Sequence, residues 1–235
     1  MINLSNRSYT KELLDKDDIL FKDIQQNLKE LNTINKYLGG HSITLAGIKA
    51  FTSTQSKKKP LTICEIGCGG GDNLKAIADY CNKQNIPATF MGIDIKADCI
   101  LYAQQQYPDL DAVWITDDYQ NVHFKDDRPD IIFSSLFCHH FTEAELKTML
   151  LWMKQHAAKG FFINDLHRHP LAYYSIKWIT NFFSGSYLVK NDAPLSVARG
   201  FTKKEWTQIC SNAGIRNFSI SWKWAFRHLI ICKND

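Results

Sequence analysis

From Pro60 to residue 166 the chain alternates short apolar runs with longer amphipathic ones, and that rhythm leaves few folds open. LTICEIG (61–67), ATFMGIDI (88–95), DAVWITDD (111–118), PDIIFSSLF (129–137) and GFFINDL (160–166) read as buried strands. Between them, 72–84, 96–108 and 142–156 carry apolar residues at helical spacing. Strands apolar on both faces, joined by helices, predict a parallel sheet covered on both sides. The end of the chain breaks the rhythm. Thr202 and Glu205 match a capping box and Gly214 fits the end of that helix. RNFSISWKW and FRHLIICK then follow so closely that they predict an antiparallel hairpin.

The expected fold is therefore α/β, Rossmann-like, with a seven-stranded, mostly parallel sheet and a C-terminal antiparallel hairpin. An N-terminal helical cap precedes it. Residues 19–38 have helical spacing, Gly39-Gly40 ends that helix, and HSITLAGIKAF starts another. A polar linker, 52–60, includes Lys57-Lys58-Lys59, read as solvated. This divides the chain into a cap, 1–59, and a domain, 60–235, with a lid insertion at about 168–200. Net charge is only +4 and 22% of residues are charged, so no nucleic-acid partner is expected. The start of the chain lacks an apolar leader, no apolar run approaches a bilayer span, and the seven cysteines show no C-x-x-C pair. Free buried thiols, a cytoplasmic location and no stable membrane insertion are expected.

Ligands of open parallel sheets bind beyond the carboxyl ends of the strands. There the sequence reads EIGCGGGDN (65–73). No lysine and hydroxyl follow Gly71, so it is no P-loop, and Asp72 occupies the last glycine place of a dinucleotide turn. Glu65 beside the turn would repel a pyrophosphate and suit an ammonium or sulfonium, while the helix N-terminus after Asp72 would suit a carboxylate. Asp94 lies 23 positions after Gly71, where a carboxylate accepts ribose hydroxyls, and Ile95 could pack on a base. Asp117 or Asp118 ends the third strand and could accept from an adenine amino group. The ligand that meets these demands is S-adenosylmethionine (SAM), with S-adenosylhomocysteine (SAH) as product. Gly67, Cys68, Gly69, Gly71, Asn73, Ser135 and Leu136 complete the expected cofactor floor.

EIGCGGG, GIDI, TDD and PDIIFSSLFCHHF resemble motifs of the class I SAM-dependent methyltransferases, over roughly residues 60–235. The resemblance implies a seven-stranded sheet and SAM as methyl donor. LGGH, SSLFCHHF, NDLHRHPLAYY and NDAPLSVARGF resemble a bacterial subgroup acting on small molecules, some associated with polyketide and phenolic biosynthesis.

Methyl transfer to a hydroxyl benefits from a base, and histidine suits that role. His139 and His140 follow the fourth strand, and His167 and His169 follow the fifth beside Asp165. His140 and His167 are the leading candidates for the base, with His139 and Asp165 in support. A metal set at Asp165, His167 and His169 lacks further carboxylates, so no metal is expected. His41, Tyr173, Trp178 and Arg199 are the expected contacts to a small-molecule acceptor, and Asp192 is a further polar group in the lid. Nitrogen or carbon acceptors, a nucleic-acid or protein substrate, and non-catalytic SAM binding are the alternatives.

Overall fold

The computed structural model describes residues 3–16, 18–52, 59–124 and 128–234. Lys57 and Lys58 of the basic run lie outside the described residues, and Lys59 is exposed. The strands are β1 (Leu61–Ile66), β2 (Ala88–Asp94), β3 (Ala112–Thr116), β4 (Ile131–Ser135), β5 (Gly160–Leu166), β6 (Phe218–Lys223) and β7 (Arg227–Lys233). They form one sheet in the order β3-β2-β1-β4-β5-β7-β6. The first five are parallel; β7 lies antiparallel between β5 and β6. The reversal of order between β1 and β4 makes the switch point at which such sheets bind ligands.

Among the described residues, eight helices accompany the sheet: α1 (Phe21–Tyr37), α2 (Gly40–Thr52), α3 (Asp72–Gln84), α4 (Ala97–Gln106), α5 (Glu143–His156), α6 (Pro170–Phe183), α7 (Tyr187–Arg199) and α8 (Lys203–Asn212). Two apolar cores lie on opposite faces of the sheet. One packs α2 and α3 on Ile63, Phe133 and Phe162; the other packs α5 and α8 on Cys64, Ile132 and Phe161. Close approach is needed on the first face. A Cβ on Gly47 of α2 would stand 2.4 Å from the ring of Phe162, which itself stacks on Phe133. Capping boxes start α5 at Thr142 and α8 at Thr202, the second as expected. All seven cysteines are buried free thiols. No helix among the described residues is long and apolar enough to cross a membrane.

Residues 168–200, expected to form a lid, carry α6 and α7. The cap contributes α1, α2 and an extended strap, residues 3–16, with a short turn at Leu13–Asp15. Three buried arginines fasten the strap. Arg7 donates to the carbonyls of Arg199, His139 and Phe141. Arg168 donates to the carbonyls of Leu4, Ser5 and Gly200 and pairs with Glu205. Arg199 donates to the carbonyls of His139, Thr10 and His140. Charged donors on backbone carbonyls make strong bonds, so the polar strap is tied to the body of the fold by its arginine contacts. Asp192 joins it by accepting the backbone N–H of Leu13 and Leu14.

Candidate active site

A cavity of about 660 Å³ opens between the carboxyl ends of β1–β5 and a roof made by the strap, α1, α6 and α7. That volume lies within the range of small-molecule sites. Its floor is the turn after β1. Gly67, Cys68, Gly69 and Asn73 line it, as do Asp94 and Ile95 at the end of β2, Asp117 and Asp118 after β3, and Ser135 and Leu136 at the end of β4. These are expected cofactor residues, brought together by the parallel register of the strands.

Two expected floor residues, Gly71 and Glu65, do not face the cavity. Gly71 sits beneath it at φ 75°, and a Cβ there would stand 2.6 Å from the indole of Trp114. Likewise a Cβ on Gly67 would strike the ring of Phe137. The room these glycines leave is filled by the protein's own aromatic rings. Glu65 is fully buried; its Oε1 accepts from Asn73 and its Oε2 has no partner. Burial, then the charge of Asp72, pushes its carboxyl well above the usual range. Glu65 thus positions Asn73, which also accepts from Thr44, and does not itself line the cavity. The acid at the wall is Asp72, with His41 Nε2 2.7 Å away. A carboxylate in the first turn removes the expected advantage of that helix end for an anionic group.

Asp94 keeps lone pairs free. Its Oδ2 accepts from the N–H of Gly69 at 2.8 Å and its Oδ1 from Lys96 at 2.9 Å. Burial raises its carboxyl despite these bonds. Each oxygen retains capacity for a hydroxyl donor, as ribose recognition requires. Ile95 is 68% exposed at the mouth of the cavity. Asp118 caps the short turn 119–121, and Asp117 accepts from Asn121.

The opposite wall carries His139 and His140. His139 is buried; its Nδ1 lies 2.7 Å from Asp165 Oδ1, and its backbone N–H donates to Asp165 Oδ2. Burial alone would lower this ring, but Asp165 and then Glu12 outweigh it and push it up to about 9. Its Nε2 lies 3.5 Å from Glu12 Oε1. His140 is partly open; its Nε2 is 3.7 Å from Glu12 Oε2 and its Nδ1 3.1 Å from Asp15. Burial would raise Glu12 and Asp15; the histidines reverse that and hold Asp15 at about 2. Glu12, His139 and His140 each offer one ligand atom, all within 4.8 Å of one another, but the two ring nitrogens of His139 already face Asp165 and Glu12. Glu12 and Asp15 carry no signal in the sequence, since only the strap's path brings them here.

Five residues expected on the acceptor side, His41, His167, Tyr173, Trp178 and Arg199, do not line the cavity. His167 is absent from the cavity wall; its ring packs beside His228 and His169, with a buried, unpartnered Nδ1. Burial, then His169 and Arg168, lowers its pKa. Asp165 thus orients His139, not His167. Tyr173 and Trp178 also miss the cavity, and Trp178 is 65% exposed, because α6 turns Ala172, Ser175, Ile176 and Ile179 inward instead. Arg199 is spent on the histidine carbonyls and Asp192 on the strap, so neither side chain is free to orient an acceptor through its head group.

Residues 63–160 match the methyltransferase-domain family. No curated protein matches the chain. Among solved structures it is similar to the plantazolicin methyltransferase BpumL in complex with SAH, at 16% identity and TM-score 0.67, covering 92% of this chain and 95% of that one. It is also similar to human N-acetylserotonin methyltransferase in complex with SAM (14% identity, TM-score 0.62, 92% of this chain and 56% of that one). A third is the CurJ carbon methyltransferase (18% identity, TM-score 0.58, 81% of this chain and 53% of that one). At such identities the likeness establishes a shared fold.

Proposed function

We propose that the chain, whose residues 63–160 match the methyltransferase-domain family and whose fold is shared with a methyltransferase solved with SAH, methylates the oxygen of a small phenolic or polyketide-type acceptor. The observation that carries this reading is one cavity with the glycine–aspartate floor on one side and a histidine–carboxylate corner on the other. When bound, SAM supplies a methyl group on a sulfonium, already activated for in-line displacement. The chain's task is then to align, dry and deprotonate the acceptor.

The apolar wall suits a ring: Leu28, Leu31, Phe137, Phe141, Ile176 and Ile179 surround the space. His140 is the base. His139, held at about 9 between Asp165 and Glu12, is already protonated at neutral pH and cannot accept a second proton. His140 faces the same space and has Glu12 and Asp15 to stabilise the charge it gains. The acceptor proton goes to the His140 ring as the oxygen takes the methyl, and the sulfonium becomes a neutral thioether.

Incubating the protein with SAM and a panel of phenols, and measuring SAH formation, tests this. His140→Ala is expected to lower turnover about 100-fold or more while SAH affinity by calorimetry stays within twofold of the parent. Full turnover in that variant would remove His140 from the reaction. Absence of SAH binding by the parent protein would remove the donor itself.

A further inference from the structure

The cavity wall includes a buried guanidinium that forms no ion pair among the described residues. Arg227, at the start of β7, is 3% exposed and lines the cavity. Its guanidinium makes one hydrogen bond among the described residues, from Nη2 to Asn35 Oδ1 at 3.0 Å. Nη1 is buried with no partner. The ion pairs found among the described residues do not include it. Burial lowers its pKa to about 10, against the pull of Asp165 and Asp72, so it remains a cation at neutral pH. A buried guanidinium without an anion is costly, and proteins almost always pair one.

Its surroundings define what would complete it. Asn35 is 7% exposed and bridges two charges: its Oδ1 accepts from Arg227 and its Nδ2 lies 3.4 Å from Asp72 Oδ2. The oxygen and nitrogen of a carboxamide sit on one carbon. Asn35 therefore holds a cation and an anion side by side, much as the ammonium and carboxylate of an α-amino acid share one carbon. Gly40 closes against this relay. A Cβ there would stand 2.7 Å from Asn35 Oδ1 and 2.8 Å from Arg227 Nη1. Asp72 opens α3 immediately after the glycine turn, so the relay adjoins the cofactor floor.

We infer that Arg227 and Asp72, spaced by Asn35, bind the carboxylate and the ammonium of the amino-acid end of SAM. The inference rests on the reading of SAM as donor. It assigns the recognition of that end to a residue of the C-terminal hairpin and one of the cap, and not to the glycine turn alone. A planar guanidinium matches a carboxylate bidentately, which a lysine at 227 would not.

Calorimetry with SAH and with 5′-methylthioadenosine, which lacks both charged groups, separates the possibilities. Arg227→Met is expected to weaken SAH about 10–100-fold, the range for a hydrogen bond to a charged group, and to leave 5′-methylthioadenosine within twofold. Asn35→Ala is expected to weaken SAH at least about fivefold with the same indifference to 5′-methylthioadenosine. It decides the matter if Arg227→Met does not fold. Parental SAH affinity in the folded variants would overturn the inference, including the case in which only the acceptor KM rises. Equal loss of both ligands in a variant that melts like the parent would overturn it too. Failure of the parent to bind either ligand would instead overturn the donor reading beneath it.

Discussion

His139 and His140 are neighbours in sequence and differ in surroundings. His139 is buried against Asp165, whereas His140 faces the cavity and leans on residues of the strap. The difference has a measurable consequence. A histidine raised from 6.5 to about 9 contributes stability that is complete below pH ~6.5 and lost as pH rises through about 9. The melting temperature should therefore fall between pH 7 and 9.5. Asp165→Asn, which removes the charge that raises His139, should flatten that fall while lowering the whole curve. On the acid side the sign reverses for His228, which burial, and then His167, lowers to about 4. It folds neutral, so the unfolded chain binds a proton first. Stability should be lost as pH drops from ~6.5 towards 4, and a histidine-to-phenylalanine change at 228 should blunt that loss. A parent melting curve flat from pH 4 to 9.5 would contradict both assignments.

Helix α2 shows how packing can outweigh local preference. Gly47 lowers its helix propensity, yet the ring of Phe162 occupies the space a Cβ would need. Gly47→Ala gains about 1 kcal/mol of propensity and forces an overpacked contact costing typically 1–3 kcal/mol. We expect net destabilisation in urea unfolding. Pairing it with Phe162→Leu should recover part of the loss, since the two changes share one contact. The strands and their helices were legible because periodicity and burial agree along them: β1, β4 and β5 are apolar and almost wholly buried. The lid was less so. Pro194 lies inside α7, where local rules would end a helix, and the aromatic residues of α6 suggest an inward face when Leu171, Trp178, Phe182 and Phe183 are exposed. Periodicity gives a stripe but not its direction. Direction came from Ala172, Ser175, Ile176 and Ile179, the smaller residues that fit against α7 and the cavity.

As a whole, the cavity lies between parts that meet only when folded: the turn after β1, the hairpin, α1, α6, α7 and the strap. Ligand binding should therefore be linked to global stability. SAH at 100 times its Kd adds about 2.7 kcal/mol, which for a chain of this size raises the melting temperature by roughly 5–10 °C. A thermal-shift titration checks it, and no shift at saturating SAH would contradict a site built from the whole fold. By itself the sequence determined the sheet, its closing hairpin, the turn after β1 and the strand-end acids Asp94, Asp117 and Asp118. Those depend on residues within one strand–helix unit, where period and turn chemistry act locally. Only the tertiary structure decided that Glu65 lies under the floor, that His139 and not His167 belongs to Asp165, and that Glu12, Asp15, Asn35 and Arg227 reach the cavity. Each of those contacts joins segments far apart in the chain. Their geometry is fixed by buried arginines on backbone carbonyls, by the register of β7 on β5 and by the space that neighbouring side chains leave, none of which has a sequence period to read.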